Sequence, residues 1–209
     1  MSSLVLYGAG GHAKVIYDIM LSNNLSLEYL VDDHHNSKKF YHFEVFKPQK
    51  KLLQGKKVIV AVGNPLTRER IVNDIQQYCE FATLVHHSSF VSEFSKLGEG
   101  TVVMPQACIN TEVKIGKHCI INTSSVIDHD CLIEDFVHIS PSVTLAGNVT
   151  VKKGAQIGIG ARVIPGITIG ENAIVGEGTV VIDDVPDGAT VVGNPGVIIK
   201  INEVEDGKF

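Results

Sequence analysis

From Val85 to Val181 the chain places an aliphatic residue at every sixth position: Val85, Val91, Leu97, Val103, Ile109, Ile115, Ile121, Ile127, Ile133, Ile139, Leu145, Val151, Ile157, Val163, Ile169, Val175 and Val181. Four residues after each comes a mostly small one, among them Ser89, Thr101, Ala107, Cys119, Ser125, Ala155, Ala161 and Ala173. An amphipathic helix repeats near 3.6 residues and a half-buried strand at about 2, so a period of six fits neither. A triangular solenoid does fit. Three hexads make three short strands and one coil of eighteen residues, with the aliphatic position turned inward from every face and the small one easing each corner. Seventeen hexads amount to 102 residues, about 5.7 coils. With ~4.8 Å between stacked strands, that is a prism roughly 27 Å long. A β-sandwich would alternate with a period of two and break at turns about every 8–12 residues.

Residues 1–84 follow another pattern. Short β-branched runs at 4–7, 28–31 and 58–62 read as strands, and segments 13–21 and 67–78 read as helices. A glycine-rich turn at 8–11 follows the first strand, Asp32-Asp33 follow the second, and Gly63-Asn64-Pro65 close the third. Strand–helix alternation predicts a small parallel sheet covered by helices. Residues 34–51 carry no clear period and read as loop with a short helix. The expected division is 1–84 for an α/β unit and 85–209 for the solenoid with its tail.

Composition narrows the function classes. With 209 residues, 44% hydrophobic and 20% charged, the chain is an ordinary globular protein. A formal net charge of −5 with no Lys/Arg run argues against nucleic acid or an anionic membrane as the main partner. No apolar stretch nears the ~20 residues that span a bilayer, and MSSLVLYGAGG runs straight into a strand and turn, so a cytoplasmic location is expected. Cys79, Cys108, Cys119 and Cys131 lack the pairing of a zinc ribbon or a disulfide scaffold and read as free thiols.

Two constellations carry candidate chemistry. His129-Asp130 couples an imidazole to an adjacent carboxylate, which favours the imidazolium as it takes a proton. One coil away from His129 stands Gly147, where a glycine is expected to leave open surface for an extended ligand arm. His138, nine residues on, faces a different side of the prism, so cooperation with His129 requires a neighbouring protomer. In the first unit, Gly8-Ala9-Gly10-Gly11-His12-Ala13 offers backbone N–H groups at a helix start to a phosphate. Gly8, Gly10 and Ala13 also satisfy a dinucleotide fingerprint with Asp32 at its acidic position, although 84 residues suit a single nucleotide better. His34-His35, His86-His87 and His118 read as surface or structural histidines.

The hexads resemble those of the hexapeptide-repeat acyltransferases, which implies a left-handed parallel β-helix and CoA-dependent acyl transfer. GAGGHAKV together with the repeat is similar to the sialic-acid O-acyltransferase-type sugar acyltransferases. NTSSVIDHDCLIEDFVHISPSVTLAGNV resembles the UDP-4-amino-sugar N-acetyltransferases of bacillosamine-type pathways. This resemblance implies acetyl-CoA as co-substrate, no metal, a nucleotide-linked (UDP) 4-amino sugar as acceptor, and a homotrimer with sites between subunits. It implies His129 as general base with Asp130 as its partner, in place of the Glu common among relatives. His138 and Asn122 share that site on the acetyl-CoA side, with Gly147, Ile159 and Glu177 along the CoA cleft. Gly10, Gly11 and His12 approach the diphosphate and sugar, while Asp32, Asp33 and Gly63 surround the nucleoside. Asn64 is a weaker candidate there. The ending VVGNPGVIIK departs from the Gly-x-Pro-Ala-Lys/Arg pattern, leaving Lys200 or Lys152-Lys153 to meet the CoA phosphates. O-acetylation of a sugar hydroxyl, an NAD-binding module on a structural solenoid, and a zinc site of the γ-carbonic-anhydrase kind are the alternatives weighed.

Overall fold

The computed structural model describes residues 3–34 and 39–202, so His35 and the tail from 203 to 209 lie outside it. Its first unit runs β1 (Ser3–Tyr7), α1 (Gly11–Ser22), β2 (Ser26–Val31), β3 (Lys39–Phe40), β4 (Phe43–Phe46), α2 (Lys50–Leu53), β5 (Lys57–Val60), α3 (Pro65–Ile75) and β6 (Glu80–Phe81). The sheet order is β3-β4-β2-β1-β5-β6. β1 is buried because it pairs in parallel with β2 on one side and β5 on the other. Its alternation splits the core: Leu4 and Leu6 pack with Ile16 and Ile19 of α1, whereas Val5 and Tyr7 pack with Ile71 and Val72 of α3. Strand order reverses at β1, which opens a crevice beyond its carboxyl end, between the turn before α1 and the turn before α3.

The region read as loop with a short helix holds two strands ahead of α2. β3 and β4 form an antiparallel hairpin, and β4 adds in parallel to β2. β4 lies at half-exposed positions, so its FEVF sequence carries little of the apolar excess that marks β1. Strand β6 is a further addition, two residues long.

The chain passes into the solenoid at Leu84–Val85. Among the described residues, three parallel faces stack eight, six and five strands, with Leu84–Val85, Phe90–Val91 and Lys96–Leu97 as the lowest strand of each. The eighth strand of the first face, Val197–Ile201, turns back antiparallel on Ala189–Val192. Partners differ by eighteen residues, as the hexad arithmetic requires: Val103 faces Ile121, which faces Ile139. Every sixth aliphatic from Val103 to Val181 is buried in one continuous core, and Val85, Val91 and Leu97 pack against its lower end. The fold is a left-handed parallel β-helix.

Each corner has its own backbone signature. From Gly100 to Gly178 every sixth residue has a positive φ, between 53° and 78°. Glycine fills some of these positions, but Gln106, Glu112, His118, Ser124, Asp130, Phe136 and Ser142 also adopt the left-handed conformation. Each such residue costs roughly 1–2 kcal/mol against a right-handed one, so the stacked ladder must enforce it.

The two units share a core. On the first face the outward positions Leu84, Val102 and Ile120 are apolar and buried, and together with Met104 they join the cluster of α1 and β1. On the third face the equivalent positions carry Lys96, Lys114, Thr150 and Thr168 among them. The α/β unit therefore rests on the lower coils of the first face.

Candidate active site

His129 stands at the corner between the second and third faces, where strand Val126–Ile127 ends and Leu132–Ile133 begins. Its Nδ1 lies 2.7 Å from Asp130 Oδ2. A carboxylate accepts, so Nδ1 carries the proton and Nε2 presents its lone pair. Asp130 can reach back because it occupies the left-handed corner position, φ 60°. Its hydrogen bond, followed by the charge of Asp128, raises the imidazole pKa above its ordinary 6.5. Both side chains are more than half exposed, which leaves the pair open to a substrate from outside its own chain.

Asp128 is a residue that sequence reasoning missed. Its Oδ1 accepts the His129 backbone N–H at 2.8 Å and the Asn110 side-chain amide at 2.9 Å. The Asn110 hydrogen bond, then the His129 N–H, holds its carboxyl below the usual range. Asn110 is eighteen residues before Asp128, so stacking arithmetic applied to every polar residue could have found it. Gly147 differs from expectation. A Cβ there would lie 2.5 Å from His129 Cε1 and 2.7 Å from Nε2. The imidazole itself lies over the glycine, so the space is filled by the ring and not left open.

At the other candidate site, the turn after β1 has features suited to an anion. Gly10 caps α1 in an extended conformation without a side-chain cap, and no acidic residue stands in the first turn. The first N–H groups of α1 thus face outward with the positive end of the helix. Among the described residues a Cβ at Gly10 or Gly11 would meet nothing within 4 Å, so their packing does not require glycine there. Both border a cavity of ≈ 420 Å³ shared with Lys14, Phe40 and Tyr41. Asp32 does not stand free for a ribose. Its Oδ2 accepts the Ala9 N–H at 2.7 Å and its Oδ1 accepts the His34 N–H at 2.7 Å, so it fastens the turn. Asp33 accepts the Tyr7 hydroxyl at 2.7 Å. Burial and that carboxylate raise the Tyr7 pKa. Asn64 is likewise committed, capping α3 by accepting the Thr67 N–H at 2.9 Å.

His138 and Asn122 come together on the first face, beneath the α/β unit and away from His129. His138 Nδ1 is 3.2 Å from Gly63 O and its Nε2 is 3.2 Å from Asn122 Nδ2. Asn122 Oδ1 accepts the Thr123 N–H at 2.8 Å, which orients the amide. Burial, then the charge of Arg68, pushes His138 down to about 4. Both nitrogens are engaged within the chain, so the structure does not offer His138 as a donor to a thioester. His12 is close enough to feel His138 and Arg68, and with burial as the main cause is pushed down to about 3. Its Nε2 is buried with no hydrogen-bond partner among the described residues.

Ile159 and Glu177 are exposed at the corner between the first and second faces, one coil apart, with Gly178 N bonded to Ile159 O. The Lys152-Lys153 pair is committed elsewhere: Lys153 pairs with Glu69 at 2.6 Å and Lys152 with Asp187 at 3.1 Å. Lys200 lies on the terminal strand Val197–Ile201. Cys131 is buried, its Sγ 3.2 Å from Ala146 O. His118 is buried, stacked on Phe136 and edge-on to Phe81, and burial pushes it down to about 4. Among the described residues no three His, Cys, Asp or Glu side chains gather as metal ligands.

Known proteins share this architecture. A family model described as the PglD N-terminal domain matches residues 3–75, and one described as bacterial transferase hexapeptide (six repeats) matches 148–183. The chain is 32% identical to a GDP-perosamine N-acetyltransferase of Escherichia coli O157:H7 over 205 residues, 91% of this chain and 93% of the relative. It is 40% identical over 117 residues to a UDP-N-acetylbacillosamine N-acetyltransferase of Bacillus subtilis (strain 168), covering 50% of this chain and 52% of that protein. Among solved structures, PerB from Caulobacter crescentus, in complex with CoA and GDP-perosamine, superposes with a TM-score of 0.89. Its identity is 34%, over 95% of this chain and 97% of PerB.

Proposed function

Since the chain belongs to the hexapeptide-repeat sugar N-acetyltransferases, we propose that its acceptor is a nucleoside-diphosphate-linked 4-amino sugar and that His129 is the base. The chain is an acetyl-CoA-dependent amino-sugar N-acetyltransferase. One observation carries the assignment of the base: Asp130 fixes Nδ1–H and leaves the lone pair to Nε2, on a ring more than half exposed.

The step needs little covalent machinery. The amine, as its free base, attacks the thioester carbonyl carbon, and its proton passes to His129 Nε2. The tetrahedral intermediate then collapses, the C–S bond breaks, and the same proton passes to the departing CoA thiolate. No acyl-enzyme is required, and buried Cys131 offers no nucleophile to the surface. Gly10, Gly11 and His12 hold the diphosphate at the start of α1, and Gly63 flanks the nucleoside across the crevice. Ile159 and Glu177 border the CoA arm.

Placement of these parts supports a shared site. The glycine-rich turn lies with the α/β unit over the first face, whereas His129 lies at the corner between the other two. Within one chain the prism stands between them. We therefore place each site between the α/β unit of one protomer and the His129 corner of the next, in a homotrimer. A cytoplasmic location accords with two small soluble substrates, and among the described residues no helix is long and apolar enough to cross a membrane.

The test is CoA thiol release from acetyl-CoA with GDP-, UDP- and dTDP-linked 4-amino sugars, and with a hydroxyl acceptor for comparison. Release with one amino-sugar nucleotide is expected. His129→Ala should lower kcat by at least about a hundredfold while acetyl-CoA binding, read by calorimetry, stays within about threefold. Equal loss of both, or activity with the hydroxyl acceptor alone, would overturn the reading.

A further inference from the structure

Arg68 projects from α3 into the seam between the units and is 1% exposed. Among the described residues its five hydrogen bonds all run to backbone carbonyls. Two hold its own unit: Nη1 donates to Val62 O at 2.9 Å and to Gly63 O at 2.8 Å. Three hold the solenoid: Nε donates to His118 O at 2.8 Å, and Nη2 to Phe136 O at 2.6 Å and Val137 O at 3.4 Å. His118 and Phe136 are equivalent corners of adjacent coils, so the planar fork grips two storeys at once.

Burying a cation is a costly way to join two surfaces, and an apolar side chain would serve adhesion better. A guanidinium adds direction, because its donors are fixed in one plane and only carbonyls in matching places satisfy them. The Gly63 carbonyl is one of those and also accepts from His138 Nδ1. Since a carbonyl can only accept, the proton of His138 stays on Nδ1, and Nε2 accepts from Asn122, whose Oδ1 is held by Thr123 N–H. One line of fixed donors thus runs from α3 through the turn after β5 and down to the first face. That turn adjoins the glycine-rich one: a Cβ on Gly8 would come within 2.8 Å of Ala61 O.

We propose that Arg68 is a positioning residue for the acceptor, holding the Val62–Gly63 turn, and through Gly63 the Nδ1–H form of His138, at one fixed height over the solenoid. It acts without touching substrate, and the proposal rests on the assignment of the α/β crevice to the sugar nucleotide. A second tie provides the control. Glu69, next to Arg68 on α3, pairs with Lys153 on the solenoid at a partly exposed position and takes no part in the Gly63–His138 line.

The experiment compares Arg68→Lys, Arg68→Met and Glu69→Gln with wild type. Lysine keeps the charge and most of the length, so it guards against a methionine variant that does not fold. Steady-state kinetics use acetyl-CoA and whichever of the GDP- or UDP-linked 4-amino sugars the wild type accepts. Arg68→Lys is expected to lower kcat/KM for the sugar nucleotide about thirtyfold while KM for acetyl-CoA stays within about twofold, a loss of positioning. Glu69→Gln should stay within about twofold on both substrates. Nitrogen NMR of labelled histidines should show a single Nδ1–H form for His138 in wild type and Glu69→Gln, and a mixed or titrating signal in Arg68→Lys. Kinetics of Arg68→Lys that match Glu69→Gln, or a His138 signal unmoved by the lysine, would overturn the proposal. If the wild type itself accepts no sugar nucleotide, the function assigned to the crevice fails, and the His138 signal decides about Arg68 by itself.

Discussion

At the scale of single residues, the site depends on how a corner aims a carboxylate. Asp130 reaches the ring of its own neighbour only because its backbone is left-handed, a conformation that aspartate tolerates better than most residues. The sign of its effect on pH dependence follows. With His129 as the proposed free base, kcat/KM is expected to fall as pH drops through its pKa, which Asp130 first and Asp128 second hold above 6.5. Asp130→Asn removes the larger contribution. The acid limb of the kcat/KM profile should then move to lower pH, and the plateau should drop about tenfold as the base weakens. A limb that stayed in place would mean that another group is titrating. Asp128 supports the same turn from within it and Asn110 from one coil below, a pairing whose only trace in the sequence is an eighteen-residue spacing between two polar residues.

The corners and strands raise a different question, because conformation there is imposed by stacking and not by residue preference. Glu112 is exposed with φ 59°, and Gly160 has φ 69° with nothing within 4 Å of an added Cβ. Glu112→Gly should be neutral or stabilise by up to about 1 kcal/mol, and Gly160→Ala should destabilise by about 1 kcal/mol, since only the backbone changes. Reversible denaturant unfolding measures both, and opposite signs would mean that local contacts outweigh the backbone. These elements also show what a sequence displays. The hexads were legible because every inward position answers to the same cavity. Corner conformation was not, since Gln106, Phe136 and Glu112 give no hint of a positive φ. Of the candidate site, the His129–Asp130 pair and the glycine-rich turn were legible as local motifs. The duties of Asp32, Asn64 and His138 were not, because their partners come from folding: Ala9 N–H, the first turn of α3, and Gly63 O. Arg68 gave no signal at all, being one basic residue on an amphipathic helix whose carbonyl partners lie as far as 69 positions away.

For the whole molecule, the proposed sharing of each site between protomers is tested by mixing two inactive parents. One parent carries His129→Ala and the other a bulky residue, Gly11→Trp, in the turn proposed to hold the diphosphate. Each alone should be nearly inactive. Unfolded together and refolded at equal amounts, they should recover roughly a quarter of wild-type activity if each site takes its base from one protomer and its crevice from the next. Recovery absent in mixtures of confirmed trimers would put both halves in one chain and contradict the shared site.

The eighteen-residue coil has a consequence for heredity. Loss or gain of a whole coil removes or adds a storey and leaves every column of side chains above and below in line, as Asn110 stands under Asp128 and His129 under Gly147. A deletion of six keeps the interior filled but rotates all that follows by one face, carrying a later column to the wrong neighbour. A deletion of twelve does the same by two faces, and a number that is not a multiple of six breaks the inward register. Natural length variation in this half of the chain should therefore come in multiples of eighteen, placed away from the storeys that hold the α/β unit and His129.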